Sequence, residues 1–174
     1  MAQKMDAFSA ALMADKREII FAPTVYKFDT FAAMAEEFKL NERDVVLTNE
    51  FIYTPFMKEL NLKCQYVFQE KFGAGEPSEA MIQTMYDAIP YDSYDRVIAV
   101  GGGAIMDLCK LLGCKRPDTV HNLYFKRFPV QHEKDVIAIP TTCGTGSECT
   151  NISVAIVKDE KDGVLTGGET KLGL

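Results

Sequence analysis

The sequence lacks any long hydrophobic run and any excess of basic charge. No segment approaches the roughly 20 apolar residues of a membrane-spanning helix, and the first residues, MAQKMDAFSAALMADKREI, mix acids with apolar residues, unlike the continuous apolar core of a signal peptide. The net charge of −6 argues against the basic face that nucleic-acid binding requires. At 174 residues, the chain is predicted to form about one domain of a cytoplasmic protein, with neither membrane nor nucleic acid among its partners.

Paired cysteine spacings and histidine clusters are also lacking. The five cysteines are Cys64, Cys109, Cys114, Cys143 and Cys149. Their number is odd and no pair has CxxC spacing, so reduced thiols of a cytosolic protein are favoured over disulfides or a zinc site. The two histidines, His121 and His132, lie in a polar stretch, residues 115–135, that is predicted to be a long irregular connection. Because they lack the spacing of ligands on a helix, no metal ligand is predicted in this chain.

Short apolar runs alternate with helical patterns along the chain. Strands are predicted at EIIFA (18–22), DVVLT (44–48), CQYVFQE (64–70), RVIAV (96–100) and VIAIP (136–140). Helices are predicted at DTFAAMAEEFKL (29–40), FIYTPFMKEL (51–60, with Pro55 near its start), GEPSEAMIQTMYDAI (75–89, with Pro77 in the first turn) and IMDLCKLLG (105–113). The end of the chain predicts a hairpin with Asp162-Gly163 at or near its turn. This alternation predicts an α/β fold, a Rossmann-like and largely parallel sheet flanked by helices, with a C-terminal β-hairpin.

Three consecutive glycines separate a buried strand from a helix in DRVIAVGGGAIMDLCK, residues 95–110. A helix N-terminus presents free backbone N–H groups and partial positive charge, and glycine lets the backbone approach a phosphate closely. The alternative is a tight turn, although a single glycine would usually serve for that. The spacing matches neither GxGxxG nor the P-loop. We interpret the glycines as a backbone anion site, typical for a nucleotide pyrophosphate.

A second glycine-rich element, AIPTTCGTGSECT (138–150), also follows a buried strand. It surrounds two glycines with five hydroxyl side chains: Thr141, Thr142, Thr145, Ser147 and Thr150. These groups suit a phosphorylated or polyhydroxylated ligand at a strand's carboxyl end. The alternative is a turn whose hydroxyls bond locally to the backbone. Two such loops after two apolar strands favour the ligand site.

The two elements together resemble a known family. GGGAIMDLCK is similar to the GGGSxxDxAK motif of the iron-containing, or group III, alcohol dehydrogenases, and IPTTCGTGSECT resembles their IPTTxGTGSExT motif nearly residue for residue. The motifs stand in the family's order, VVLTNEFI lies where the family has VTDxxL, and the resemblance covers most of residues 18–174. Within the family, the chain more loosely resembles the 4-hydroxybutyrate dehydrogenases.

This resemblance implies one half of a two-domain oxidoreductase. Residues 1–174 would form the dinucleotide-binding domain, while the family's helical domain, which holds a divalent metal through one Asp and three His, would be absent. The implied reaction is hydride transfer between a primary alcohol, possibly 4-hydroxybutyrate, and NAD, with NADP as the alternative cofactor. Iron is expected only in the full-length enzyme. No catalytic residue is assigned to this chain, which we expect to be inactive alone.

Site residues follow from the resemblance position by position. Those expected to contact the cofactor are Asn49, Gly101, Gly102, Gly103, Ala104, Asp107, Thr141, Thr142, Thr145 and Lys171. The glycines would bind the pyrophosphate and the threonines the ribose and nicotinamide side, with Asp107 toward the nicotinamide and Lys171 a weaker match to a family lysine near the cofactor. For Asp107 the alternative is complementation of the helix dipole.

Two positions depart from the family motifs. Ala104 replaces the motif serine, which removes a hydroxyl contact to phosphate. Asn49 replaces an acid that would repel a 2′-phosphate, although Glu50 is adjacent, so the sequence favours NAD over NADP only modestly.

The same residues leave two alternative functions open and also predict self-association of the chain. The first alternative is a stand-alone nucleotide-binding module without catalysis. Another is an enzyme like dehydroquinate synthase or glycerol dehydrogenase, which share this architecture, although GTGSE fits the alcohol dehydrogenases better. Loss of a partner domain would expose apolar surface, so we expect a homo-oligomer or a tendency to aggregate.

Overall fold

The computed structural model describes residues 23–161 and 164–173. Four strands form one parallel sheet in the order β2-β1-β3-β4. They are β1 (Asp44–Thr48), β2 (Gln65–Phe68), β3 (Arg96–Gly101) and β4 (Asp135–Pro140). Two further strands, β5 (Ile152–Lys161) and β6 (Val164–Gly173), pair antiparallel. The predicted α/β fold and hairpin are confirmed, while the strand at 18–22 and the Asp162-Gly163 turn fall outside the described residues.

Five α-helices lie in the described residues. They are α1 (Phe31–Glu37), α2 (Glu50–Phe56), α3 (Glu79–Ala88), α4 (Gly103–Gly113) and α5 (Val120–Tyr124). Thr30 caps α1 by accepting a hydrogen bond from Ala33 N–H at 3.1 Å.

Three local predictions are wrong. Pro77 precedes the first turn of α3, because Ser78 is the N-cap and accepts from Met81 N–H at 3.3 Å. Pro55 lies near the end of α2, not its start. The supposed connection at 115–135 contains α5, whose N-cap Thr119 accepts from Asn122 N–H at 3.1 Å. A helix of five residues is too short for apolar periodicity to identify it.

Helices cover both faces of the sheet. Val46, Ile98 and Val100 pack in a cluster with Met34 of α1 and Ile52 of α2. The alternate strand residues, with α3, α4, α5 and the hairpin, form the other cluster, which includes Val45, Leu47, Val97 and Ala99. Burial on both faces explains why β1 and β3 are apolar almost throughout.

The parallel arrangement brings the carboxyl ends of β1, β3 and β4 to one edge of the sheet. Thr48 at the end of β1 donates a buried hydrogen bond to the Val100 carbonyl of β3 at 2.8 Å. The register of β3 with β4 continues to the pair Gly101 and Pro140. The loops that follow these strands therefore start side by side.

The five cysteines are all free thiols; Cys64, Cys109 and Cys114 are buried, and Cys143 and Cys149 are exposed. Within the part of the chain that the structure describes, no helix is long and apolar enough to cross a membrane.

Candidate functional site

The glycine turn after β3 leaves the start of α4 without a side-chain cap. Gly102 is the N-cap in an extended conformation (φ −85°, ψ −171°), and neither a capping side chain nor an acidic residue in the first turn serves the helix. The first N–H groups of this 11-residue helix thus lack a side-chain acceptor. They and the helix dipole form an arrangement that suits an anion.

Each of the three glycines faces a different neighbour. A Cβ atom on buried Gly101 would lie 2.6 Å from Ile105 Cγ1, so this glycine lets α4 pack close under the end of β3. A Cβ on Gly102 would lie 3.2 Å from Thr142 Oγ1, and one on Gly103 would lie 3.1 Å from Thr145 Cγ2. The two sequence motifs are therefore in direct contact.

We call residues 141–147 the threonine loop. It begins where Thr141 N–H donates to the Gly101 carbonyl at 3.0 Å, which extends the β3–β4 pairing. Gly144 (φ +115°) and Gly146 (φ +63°) then adopt left-handed backbone conformations that few other residues tolerate. Thr141, Thr142 and Thr145 are exposed, so their side chains are available at the mouth of the turn.

An open cleft of about 1850 Å³ extends from this edge of the sheet along β4 to Asp135 at its amino end. Six of the predicted site residues line it: Asn49, Gly102, Gly103, Ala104, Thr141 and Thr142. The cleft is open to solvent, and the predicted site residues occupy only the part of it at the carboxyl ends of the strands. Gly101 does not line the cleft, because it is buried against Ile105.

Two glutamates, Glu50 and Glu70, lie beside Asn49 at the end of β1. Asn49 is the N-cap of α2, and its amide lies 3.5 Å from Gln69 Oε1 at the end of β2. Glu70 Oε1 accepts from Glu50 N–H at 3.1 Å, which places both glutamates beside the asparagine. Negative charge therefore lies beside Asn49, and Glu70, one of its two sources, is distant in sequence.

Asp107 lies inside the protein, on the buried side of α4, with 8% of its surface exposed. Its oxygens accept hydrogen bonds from Ser147 Oγ (2.5 Å), Lys110 Nζ (3.2 Å) and Val154 N–H (3.0 Å). These hydrogen-bond partners belong to the threonine loop, α4 and β5. The predicted contact of Asp107 with the cofactor therefore stays a prediction.

Lys171 lies on β6, where its backbone pairs with Val154 of β5. The Lys171 backbone therefore lies beside Val154, the residue whose N–H donates to Asp107. Its predicted position near the cofactor stays a prediction.

The histidines lie away from the cleft's glycine turn. Contrary to the sequence-based expectation, His121 is on a helix, α5, where its ring packs at 4.5 Å from that of Phe125 and its Nδ1 lies 3.9 Å from Glu79 Oε1. His132 forms a backbone bridge with Cys114. Among residues 23–161 and 164–173, no three His, Cys, Asp or Glu side chains come together as a metal site would require.

Residues 22–170 match the model of the iron-containing alcohol dehydrogenase family. The chain belongs to this family. Over 137 residues it is 47% identical to a 4-hydroxybutyrate dehydrogenase of Clostridium kluyveri, an alignment that covers 79% of this chain and 37% of that protein.

Solved structures of iron-containing alcohol dehydrogenases share the fold. One from Thermotoga maritima superposes with a TM-score of 0.55 at 25% identity and covers 74% of this chain and 37% of its own. A sulfoacetaldehyde reductase of Bifidobacterium kashiwanohense, solved with NAD⁺, gives a TM-score of 0.60 at 20% identity over 82% of this chain and 38% of that one. The chain thus spans well under half the length of these relatives.

Two residues of this candidate site, Lys110 and Glu70, were not singled out from the sequence, and Ser147 was named only as one of five hydroxyls of its loop. Lys110 ends the motif GGGAIMDLCK, so it had a motif signal that could have marked it. Glu70 had none, because only the pairing of β1 with β2 brings it beside Asn49.

Proposed function

We propose that this chain is the dinucleotide-binding part of an NAD-dependent alcohol dehydrogenase. The observation that carries this proposal is the contact between the uncapped start of α4 and the threonine loop, at the carboxyl edge of a parallel sheet. In open α/β sheets, nucleotides bind at this edge. Family membership and the open cleft both support this proposal.

In this proposal the chain's own residues bind and orient the dinucleotide. The N–H groups of Gly102, Gly103 and Ala104 bind the pyrophosphate, since they lie at the start of α4, which has no side-chain cap. Thr142 and Thr145 offer hydroxyls to the same ligand. The nicotinamide, when bound, supplies the hydride acceptor or donor.

A preference for NAD over NADP is part of the proposal. Glu50 and Glu70 bring negative charge beside Asn49, the position where the family's acid discriminates against a 2′-phosphate. An added phosphate there would be repelled. Asn49 itself is neutral, so we expect discrimination weaker than a buried acid would give.

The substrate and metal belong to the full-length enzyme in this proposal. A primary alcohol is the substrate class, and 4-hydroxybutyrate is the first candidate because the relative from Clostridium kluyveri carries that activity in its name. Iron is in the family's name, but the described residues offer no set of three ligands that fits it. We assign none of them to a metal and expect no turnover from this chain alone; turnover by the purified chain would contradict that expectation.

Calorimetric titration with NAD⁺ and NADP⁺ tests the proposal. We expect the wild type to bind NAD⁺ more tightly and Gly102→Val to abolish binding, because the branched side chain would fill the space beside Thr142 Oγ1. Ala104→Ser restores a hydroxyl donor and should tighten NAD⁺ binding by up to about tenfold. Ala80→Val, on the exposed face of α3, is the matched control and should change nothing.

The outcomes of this titration are distinct. A wild-type chain that binds neither nucleotide would overturn the proposed function. Retained binding by Gly102→Val would show that the nucleotide does not use the glycine turn. Circular dichroism of each variant separates loss of binding from loss of folding.

A further inference from the structure

We propose that Asp107 and Lys110 are positioning residues, a buried ion pair that holds the threonine loop against the glycine turn through Ser147. Both residues lie on α4, the helix that the glycine turn begins. The inference rests on the proposed nucleotide-binding function, which it deepens by naming what keeps the binding loop in place.

The ammonium group of Lys110 makes its hydrogen bonds inside the protein. Its Nζ donates to Ser147 Oγ and the Ile152 carbonyl, each at 2.7 Å, and to Asp107 Oδ1 at 3.2 Å. Thr150 Oγ1 lies slightly farther away, at 3.4 Å. An ammonium has three protons to donate, so the near contacts account for all of them.

Asp107 completes the pair from the other side. Ser147 Oγ donates to its Oδ1 at 2.5 Å while accepting from Lys110, so the serine hydroxyl lies between the two charges. The side chains of Lys110 and Asp107 are only 10% and 11% exposed. Two charges buried together in this way demand good hydrogen-bond geometry, which fixes the groups that satisfy them.

The threonine loop has few contacts of its own that would fix its conformation, so the hydrogen bonds of Ser147 matter for its position. Its first end is held by the backbone hydrogen bond from Thr141 to Gly101. Beyond that, residues 141–145 are exposed and two glycines adopt left-handed conformations. Ser147 is the first buried residue after them. The hydrogen bonds to Ser147 also restrain Thr145, which lies beside Gly103. The loop is therefore ordered before a nucleotide binds.

A matched serine in the same network provides the control. Ser153 Oγ donates to the Asp107 backbone carbonyl at 3.1 Å and lies 3.0 Å from the Tyr124 hydroxyl. It is fully buried but belongs to β5, outside the threonine loop. Replacing Ser153 with alanine removes one hydroxyl hydrogen bond to α4 but no hydrogen bond to the threonine loop.

The experiment compares Ser147→Ala with Ser153→Ala in the 174-residue chain, by amide hydrogen exchange of residues 141–147 and by NAD⁺ calorimetry. We expect Ser147→Ala to speed exchange in the loop and to weaken NAD⁺ binding, each roughly tenfold, the effect of losing one hydrogen bond to a charged group. Ser153→Ala should lower the melting temperature but leave both readouts within about twofold, since its hydrogen bonds do not reach the loop. Ser147→Thr keeps the hydroxyl and should restore both.

Each outcome decides the inference. Unchanged loop exchange in Ser147→Ala, or equal changes in the two alanine variants, would overturn the positioning role. Lys110→Met could fail to fold because it leaves Asp107 without its counter-charge, so the serine variants carry the test. If the wild type binds no nucleotide, the proposed function fails, while loop exchange still shows whether Ser147 holds the loop.

Discussion

Gly101, Gly102 and Gly103 stand next to one another, yet each is glycine for its own reason. Gly101 leaves room for Ile105, in the first turn of α4, whereas Gly102 and Gly103 leave room for threonines of a loop some forty residues later. The first therefore serves the packing of the helix on the sheet, and the other two serve its contact with the threonine loop. Substitutions at these positions should have separable effects.

Gly101→Ala should destabilise the fold. Its new Cβ would lie 2.6 Å from Ile105 Cγ1 in the buried core, and we expect overpacking to lower the free energy of unfolding by about 1–3 kcal/mol. Urea denaturation measures the change. Gly102→Ala is the control, because its backbone is extended and its nearest neighbour is 3.2 Å away, so its loss should be smaller. Equal losses would contradict this assignment.

At the scale of elements, two aspartates near the amino ends of the strands pair with arginines in different surroundings. Asp44, 2% exposed at the start of β1, accepts from Arg96 of β3 at 2.7 and 2.9 Å, and Arg96 also donates to the Phe38 carbonyl after α1. Asp95 pairs with Arg43 at 2.5 Å on the surface. The buried pair joins two strands and a helix, so it should matter more to stability.

Asp44→Asn should cost about 3 kcal/mol of unfolding free energy, because it leaves the Arg96 guanidinium without its charged partner in a mostly buried position. Thermal and urea denaturation at neutral pH measure this cost. A change no larger than that of Asp95→Asn would contradict it.

Asp95→Asn is the control, and its effect should depend on pH. The hydrogen bond from Arg43, aided by the charge of that residue, lowers the pKa of Asp95. A depressed pKa stabilises the fold above the ordinary aspartate value of about 4. The small difference between wild type and Asp95→Asn should therefore disappear as the pH falls below that value, and should shrink in high salt.

At the scale of the whole molecule, apolar side chains on α2 are exposed. Phe51 is 72% exposed and Phe56 is 68% exposed, and both line the cleft. Exposed apolar surface of this kind favours association. The sequence-based expectation of a homo-oligomer or of aggregation therefore has a specific candidate surface.

Replacing both phenylalanines with serine should reduce self-association of the chain, because it removes the largest exposed apolar groups of α2. Light scattering over a range of protein concentrations measures the effect. Ile156→Ser on the hairpin, where 42% of the side chain is exposed, is the control and should leave association largely unchanged. Monomeric behaviour of the wild type at high concentration would contradict the expectation.

The sequence by itself determined the local features of this iron-containing alcohol dehydrogenase chain. Apolar runs of strand length, the glycine turn before α4 and the hydroxyl-rich loop all depend on neighbouring residues, so their patterns are visible in the chain. The motifs also sufficed to identify the family. The short helix α5 escaped because one turn of helix has no period to detect.

Only the tertiary structure decided which distant groups meet. Ser147 reaches Asp107 across 40 residues and Lys110 across 37, and Glu70 reaches the backbone of Glu50 across 20. Such contacts depend on strand order and helix packing, which a linear pattern does not encode. The sequence therefore located the two loops of the site, while the packing of α4 against β4 and β5 decided that they touch and what holds them together.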